Sequence, residues 1–267
     1  MDGLLPGGNM NAVERVGDTV RRNAGPWTPT VHRYLEHIAR NGVTWAPHPL
    51  AIDGDREVLS FVVGAVPVYP LPGWVWADAV LIDGARRLRQ LHEASVGFAL
   101  DGAIWQSPVH EPVEVICHND FAPHNLAFAR GTIVGAIDFD MCSPGPRIWD
   151  IAYFATRAVP LTASPEPGAP DMTDARRRVQ LILDAYYAVD VVAPDAAVAD
   201  AAVLGAGAAA TWEDVLKVAI QRLQSLAEFS VGKAAELRKP ELRDHAAAYD
   251  IDAAYLLSLR RSIGDSA

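Results

Sequence analysis

The sequence predicts an α+β protein in which a small strand-rich lobe with one helix precedes a larger, mainly helical lobe. Short apolar and β-branched runs separated by glycine turns occupy residues 1–63. Two further short strands lie near the middle of the chain, and the residues beyond 150 are Ala-rich with helical periodicity. We therefore divide the 267 residues into an N-terminal lobe, 1–63, and a C-terminal lobe, 64–267.

The first elements are predicted to be antiparallel strands joined by turns. A strand near Leu4, a turn over Gly7–Asn11 and a second strand ending at Val16 are followed by a tight hairpin at 17–18 and a third strand. The backbone N–H groups of a turn rich in Gly and Asn can bind phosphate, although such turns are also common in plain hairpins.

The third strand ends in the basic pair Arg21 and Arg22. Because side chains alternate along a strand, Arg22 lies on the same face as Val20 and would project into a pocket that Val20 lines. The alternative is a solvated basic pair on an edge strand.

The strand is followed by a helix and a second hairpin. Thr28 is predicted to be the helix N-cap, and Pro29–Arg40 the helix, with proline at its first position. Residues 51–63 predict a hairpin turning at 53–55, and a hinge is expected near Val62–Gly64, before a proline-rich loop.

The C-terminal lobe is predicted to be helical apart from its central strands. His92 lies at the end of the apolar face of the first helix and is predicted to be a core or capping histidine. A loop follows over 95–112. The predicted helices span 77–94, Trp149–Ala158, Thr173–Val189, Val198–Val231 with a break near Gly205–Gly207, and Pro240–Ile263.

Between these parts lies a stretch whose polar residues are flanked by short strands. A short β-branched strand is predicted to begin at Val115, a loop then carries Asp120 and Asn125, and a hairpin at 130–131 leads to a strand that ends near Asp138. Two carboxylates and an amide can thus provide three oxygen ligands around one small volume, which suits Mg²⁺. In phosphoryl transfer a loop Asp handles the acceptor hydroxyl while an Asn and a second Asp hold the metal.

Composition excludes several classes of protein. The formal net charge of −10 argues against a nucleic-acid-binding protein, because phosphate binding needs clustered Lys and Arg. The spread negative charge is compatible with a cationic acceptor, and an ordinary solvated acidic surface is the alternative. The two cysteines, Cys117 and Cys142, are expected to be buried thiols in a reducing compartment. No secretion signal or membrane helix is evident, so we expect a cytoplasmic protein; nothing indicates its oligomeric state.

Three motifs in order resemble the aminoglycoside phosphotransferase-like family of small-molecule kinases, which share the protein-kinase-like bilobal fold. The His-Gly-Asp motif and its Asn appear here as His118-Asn119-Asp120 with Asn125. The metal motif appears as Ile137-Asp138-Phe139, and a structural aromatic-Asp-hydrophobic element as Trp149-Asp150-Ile151. The resemblance covers about residues 4–161 and is strongest over 115–154.

The resemblance implies a function and a set of roles. The protein would transfer the γ-phosphoryl group of ATP or GTP to a hydroxyl of a small acceptor, with the N-terminal lobe binding the nucleotide. Asp120 would be the catalytic Asp, His118 a brace for its loop, and Asn125 and Asp138 the Mg²⁺ ligands. The turn with Gly7, Gly8 and Asn11 would cover the triphosphate, Arg22 would replace the usual strand-three Lys, and Ser60, Phe61 and Val62 would contact the adenine.

Besides Arg22 in place of Lys, two further positions depart from the family pattern. Asn119 stands where the family has Gly, which Asn tolerates because it adopts positive φ more readily than most residues. The Glu expected in the first turn of the helix is absent, and Glu36 lies a turn late, so the usual ion-pair partner of the strand-three cation is missing from its place. A weak or inactive nucleotide-binding pseudokinase is therefore one alternative, and a metal-assisted hydrolase is another.

Overall fold

The computed structural model describes residues 3–4, 13–188 and 209–264. Within them the predicted α+β layout is confirmed: an antiparallel five-stranded sheet with one helix comes first, and a larger, mainly helical part follows. The lobe boundary at 63/64 stays a prediction. The predicted helix residues 189–208 and the turn residues Gly7, Gly8 and Asn11 lie outside the described residues.

The N-terminal sheet has the strand order β1-β2-β3-β5-β4. Its strands are β1 Gly3–Leu4, β2 Glu14–Val16, β3 Thr19–Asn23, β4 Pro49–Asp53 and β5 Arg56–Ser60, and α1 spans Thr28–Arg40 between β3 and β4. The pairing of β3 with β5 places Arg22 directly opposite Glu57. This register decides the geometry of the site, because opposite residues on paired strands are close neighbours.

The segment after β5 joins the sheet to the rest of the molecule. Ala65 and Phe128 exchange two backbone hydrogen bonds of 2.8 and 2.9 Å. A Cβ atom added to Gly135 would lie 2.3 Å from a methyl carbon of Val62, so this glycine allows the hinge to pack directly on the strand before Asp138.

In its described residues, the larger part consists of five α-helices around two small strand pairs. Its elements are α2 Asp78–Ser95, β6 Val115–Cys117, β7 Leu126–Ala129, β8 Thr132–Ala136, β9 Ser143–Gly145, α3 Arg147–Ala158, α4 Ala175–Tyr187, α5 Trp212–Glu236 and α6 Leu242–Gly264. β6 pairs with β9, and β7 with β8. One continuous buried core connects α1 and α2 with both strand pairs and the C-terminal helices, so the loops between the strands rest on a packed base.

Three predicted helix boundaries are wrong for local reasons. Trp27, not Thr28, is the N-cap of α1, and the Thr28 hydroxyl instead accepts a hydrogen bond from the Gly25 N–H at 2.8 Å. The helix predicted from Val198 does not run through 209–211, because Thr211 and Asp214 form a capping box that starts α5 at Trp212. α5 also continues five residues past Val231, to Glu236.

None of the helices in the described ranges is both long enough and apolar enough to cross a membrane.

The packing of α2 on α3 gives a first testable prediction. A Cβ atom added to Gly84 would lie 2.3 Å from the ring of Phe154, so Gly84→Ala should lower the free energy of unfolding by about 1–3 kcal/mol. Gly232→Ala is the control: nothing lies within 4 Å of the added atom, and we expect about 0.5–1 kcal/mol of stabilisation from higher helix propensity. Urea titration measures both changes. Equal effects of the two substitutions would contradict this helix contact.

Candidate active site

The loop after β6 has an unusual backbone conformation at Asn119, and the side chain of Asn119 itself stabilises it. Asn119 has φ of 65°, the left-handed region that Asn adopts more readily than most residues. Its side-chain amide donates to the Met141 carbonyl at 2.7 Å and to the Ser143 hydroxyl at 2.8 Å. Asn at the Gly position of the His-Gly-Asp motif therefore retains the turn and adds two anchors.

Asp150 on α3 also fixes this loop. Its carboxylate accepts the backbone N–H groups of His118 at 2.6 Å and Asn119 at 2.8 Å, and contacts the ring of His92 at 3.1 Å. Burial opposes ionisation, but the hydrogen bond and charge of His92 dominate and lower the pKa of Asp150. His92 is thus a core histidine, as predicted, since its other ring nitrogen contacts the Tyr186 hydroxyl at 2.7 Å.

Asp150→Asn should therefore destabilise the fold. The substitution removes an acceptor for two buried N–H groups, and we expect a loss of about 2–4 kcal/mol in unfolding free energy at neutral pH. Because the folded-state pKa is depressed, the carboxylate stabilises the protein above its unfolded pKa of about 3.9, and this contribution disappears as pH falls through the folded pKa. Urea titrations at neutral and acidic pH should show that the difference in unfolding free energy between the wild type and Asp150→Asn decreases as the pH falls.

The matched control is Asp101→Asn, at an exposed turn, which should change stability by less than about 0.5 kcal/mol. An Asp150→Asn protein as stable as this control would contradict the role given to Asp150.

His118 is neutral and fixed. Its Nε2–H donates to the Ile137 carbonyl at 3.1 Å, and its Nδ1 accepts the Asp120 backbone N–H at 3.2 Å. Burial is the main cause that lowers the pKa of His118. Both ring nitrogens are used in the loop, which suits a bracing residue better than a proton acceptor.

Asp120 presents an ionised carboxylate whose two oxygens are already positioned. The Tyr153 hydroxyl donates to Oδ1 at 2.6 Å, and the Asn125 amide donates to Oδ2 at 2.7 Å and to the Asp120 carbonyl at 3.0 Å. His124 Nε2 lies 3.6 Å from Oδ1. Burial alone would raise the pKa of Asp120, but His124 and the Tyr153 hydrogen bond outweigh it and lower the pKa to about 2.

Asn125 and Asp138 keep oxygen atoms available. The Asn125 amide nitrogen is used on Asp120, and in the described part of the chain no group donates to its Oδ1. Asp138 follows β8 with φ of 65°, and its side chain is 44% exposed. Only Asp138 Oδ1 is used among the described residues, so its Oδ2 is also available.

Of the predicted basic pair, Arg21 is exposed and Arg22 is buried. The Nε of Arg22 donates to Glu57 at 2.5 Å, its Nη1 to Asp138 at 2.7 Å, and its Nη2 to Asp140. Glu57 on β5 thus takes the place of the missing helix Glu. The helix still participates, because His32 Nε2 contacts the other Glu57 oxygen at 3.0 Å.

The charge at this cluster is unbalanced. One guanidinium faces three carboxylates, Glu57, Asp138 and Asp140, and Glu57 and Asp140 are buried. Burial raises the pKa of Asp140 to about 7, and the neighbouring Asp138 and Glu57 add to this against the opposing effect of Arg22. Excess negative charge beside free oxygen donors fits a hard divalent cation such as Mg²⁺.

The predicted adenine contacts lie at the end of β5. The Ser60 N–H donates to the His48 carbonyl and the Phe61 N–H to the Asp18 carbonyl, both at 2.8 Å. The N–H of Val62 has no such partner in the described ranges. Of these three backbone donors, only that of Val62 is therefore free to bind a nucleotide.

Several site residues were missed by sequence reasoning. Glu57 carried a signal, because it lies in phase with the buried Leu59 on its strand, where a charged side chain needs a partner. No such signal marks Tyr153 or His124 in the sequence, because their contact with Asp120 depends on how α3 and the loop pack.

The sequence of this chain matches a protein-family model and a curated relative. A model of the phosphotransferase enzyme family matches residues 74–182. A trifolitoxin immunity protein from Rhizobium leguminosarum bv. trifolii is 30% identical over 193 residues, covering 68% of this chain and 72% of that protein.

Solved kinase structures share the fold. A choline/ethanolamine kinase family protein from Mesorhizobium loti superposes with a TM-score of 0.64 at 15% identity, covering 96% of this chain and 88% of that one. The ethanolamine kinase of Plasmodium vivax gives 0.63 at 14%, covering 98% and 83%. A putative aminoglycoside phosphotransferase from Ralstonia eutropha gives 0.58 at 13%, covering 97% and 92%. The fold of this chain is therefore protein-kinase-like, as predicted.

Proposed function

The chain belongs to the phosphotransferase enzyme family, and from that premise we propose that it transfers the γ-phosphoryl group of ATP or GTP to a hydroxyl of a small acceptor. The observation that carries this proposal is the pairing of a fixed, ionised Asp120 with free oxygen donors on Asn125 and Asp138. Asp120 would act on the acceptor, and Asn125 and Asp138 would bind the metal ion that holds the donor nucleotide.

Asp120 orients the acceptor hydroxyl. A carboxylate with a pKa of about 2 is a weak base, so it does not remove the proton before the phosphoryl group moves. In a loose transition state the hydroxyl becomes acidic late, and Asp120 then takes up its proton. Tyr153 and Asn125 fix the carboxylate throughout, so little reorganisation is needed.

Asn125 and Asp138 would hold Mg²⁺ through their free oxygens. When bound, the ion neutralises charge on the phosphates and orients them for transfer. Asp140 stays with Arg22 as a structural acid.

Arg22 would bind the donor phosphates. Its Nε is tied to the buried Glu57, which fixes the position of the side chain, while its Nη1 group reaches the half-exposed Asp138. A planar guanidinium can bind phosphate oxygens in a bidentate manner, unlike the compact ammonium of Lys.

The two alternatives are less well supported. Membership in a phosphotransferase family, together with the intact set of Asp120, Asn125 and Asp138, favours an active enzyme over a pseudokinase. A hydrolase would need a base for water, and His118 is occupied at both nitrogens. Because the 30% identical relative is named for immunity to trifolitoxin, a panel of acceptors should include that toxin beside amino alcohols, sugars, aminoglycosides and macrolides.

Asp138→Asn tests the metal assignment. Replacing one carboxylate oxygen by an amide removes a charged ligand, and we expect Mg²⁺-dependent nucleotide affinity to fall about tenfold to a hundredfold. Isothermal titration with ATP, with and without Mg²⁺, measures it. Asp55→Asn, at the exposed turn of the β4–β5 hairpin, is the control. Unchanged Mg²⁺ dependence in Asp138→Asn would exclude this residue as a ligand.

A further inference from the structure

α5 places one buried charged side chain against the loop that carries Asp120. Arg222 is only 6% exposed, and its Nη2 donates to the backbone carbonyl of Asn119. That carbonyl belongs to the peptide group that joins Asn119 to Asp120. The two residues of this hydrogen bond are 103 positions apart in the chain, so α5 is connected directly to the residue before the catalytic carboxylate.

The same guanidinium contacts the residue that holds the Asp120 carboxylate. It lies 5.1 Å from the ring of Trp149 and 4.8 Å from the ring of Tyr153, two residues one turn apart on α3. Such cation–π contacts favour a fixed position of both rings. The Tyr153 hydroxyl donates to Asp120 Oδ1 at 2.6 Å. Arg222 therefore acts on Asp120 at two points, through the preceding peptide group and through Tyr153.

Charged groups of opposite sign bind the two backbone polar groups of Asn119. Its N–H donates to Asp150 at 2.8 Å, and its carbonyl accepts from Arg222. Asn119 has φ of 65°, a conformation that is costly for a residue other than Gly and persists only where its surroundings support it. The Asp120 N–H in turn donates to His118 Nδ1 at 3.2 Å. The backbone that leads into Asp120 is thus held at consecutive groups.

Arg222 differs from the other buried arginines in the described part of the chain. Arg22 has three carboxylate partners, and Arg178 on α4 pairs with Asp78 at 2.8 Å. Within the described residues no ion pair joins Arg222 to a carboxylate, and its Nε is buried without a hydrogen-bond partner. An apolar side chain of similar volume would fill this space without the cost of burying a charge. The arrangement therefore indicates a role in orienting the loop.

The charge of Arg222 also acts on Asp150. Burial opposes ionisation of Asp150, whereas His92, His118 and Arg222 all lower its pKa. Arg222 and Asp150 thus attract each other while both bind the backbone of Asn119.

We propose that Arg222 is a positioning residue for phosphoryl transfer: it fixes the Asn119 carbonyl and the Tyr153 ring, and so sets the direction in which the Asp120 carboxylate meets the acceptor hydroxyl. The proposal rests on the proposed kinase function. Arg222 is buried behind the loop, so it acts through Asp120 and binds neither the acceptor nor the nucleotide itself. Its loss should lower kcat much more than the affinity for either substrate.

Amide hydrogen exchange tests the positioning without requiring turnover. Arg222→Met removes the hydrogen bond and the charge but keeps an unbranched side chain. We expect the amides of Asn119 and Asp120 to exchange about tenfold faster than in the wild type, measured relative to a core amide of α1 such as that of Leu35. A general loss of stability would instead accelerate loop and core amides together.

Steady-state kinetics tests the consequence for the reaction. With Mg²⁺-ATP and an acceptor that the wild type phosphorylates, Arg222→Met should lower kcat about tenfold to a hundredfold. The acceptor KM and the nucleotide affinity should stay nearly unchanged. Arg222→Lys keeps a charged donor for the Asn119 carbonyl but lacks the planar guanidinium, so it should recover part of both effects.

Arg178→Met is the matched control, because it removes another buried guanidinium, one whose partner Asp78 is not part of the loop. It should lower stability through the loss of this ion pair, while kcat and the relative exchange of the Asn119 and Asp120 amides stay like the wild type. Circular dichroism shows whether each variant is folded, and Arg222→Lys carries both measurements if Arg222→Met does not fold.

These measurements separate the positioning role from the proposed function. Asn119 and Asp120 amides that exchange in Arg222→Met as in the wild type, or a kcat no lower than that of Arg178→Met, would overturn the proposal. So would a loss of nucleotide affinity as large as the loss in kcat. Faster exchange of these two amides in Arg222→Met, with no phosphoryl transfer by the wild type to any acceptor, would instead support the contact and count against the kinase.

Discussion

Asp120→Asn is expected to reduce kcat for phosphoryl transfer by about 10²–10⁴-fold while leaving Mg²⁺-nucleotide binding nearly unchanged. The amide keeps the size of the carboxylate but cannot take up the acceptor proton. The metal-binding oxygens of Asn125 and Asp138 are untouched, so the donor still binds. A coupled assay for ADP formation gives kcat, and calorimetry gives the nucleotide affinity.

Asp250→Asn is the matched control, because it makes the same change on an exposed face of α6 and should retain full activity. If Asp120→Asn kept wild-type kcat, Asp120 would not be the acceptor-orienting group. A parallel loss of nucleotide binding would indicate a structural role instead.

Arg22→Met is expected to cause the largest loss of stability, about 3–5 kcal/mol of unfolding free energy. It leaves the buried carboxylates of Glu57 and Asp140 without their cation, and such uncompensated charges are costly. Arg21→Met is the natural control: the same change one residue earlier, at an exposed position, should cost less than about 0.5 kcal/mol. Urea titration compares the two.

A double-mutant cycle isolates the interaction energy between Arg22 and Glu57. Combining Arg22→Met with Glu57→Gln should recover part of the loss, because the buried charge is removed with its partner. Additive losses, or equal stabilities of Arg21→Met and Arg22→Met, would contradict the buried ion pair between β3 and β5.

The central motif could be predicted because its parts are local. Asp120 and Asn125 lie on one loop and share a hydrogen bond, and Asp138 follows the next hairpin, so all three belong to one short stretch of the chain. The tolerance for Asn119 also followed from its residue type, which permits the observed positive φ.

The partner of Arg22 could not be predicted in the same way. The family pattern places this partner on α1, whereas the register of β3 with β5 provides Glu57 from 35 residues away. Turn geometry fixes the register of strands joined by a hairpin, but α1 and β4 lie between β3 and β5 in the chain, so no local turn sets this register.

The central claim is that the γ-phosphoryl group passes from a nucleotide to a hydroxyl. The most direct measurement is ³¹P NMR of the full chain with Mg²⁺-ATP and each member of an acceptor panel that includes small hydroxy acids. We predict a phosphomonoester signal that grows as ATP becomes ADP, requires Mg²⁺, and is absent with Asp120→Asn. Release of inorganic phosphate from phosphoesters without any nucleotide, or no ATP consumption with any acceptor, would contradict it.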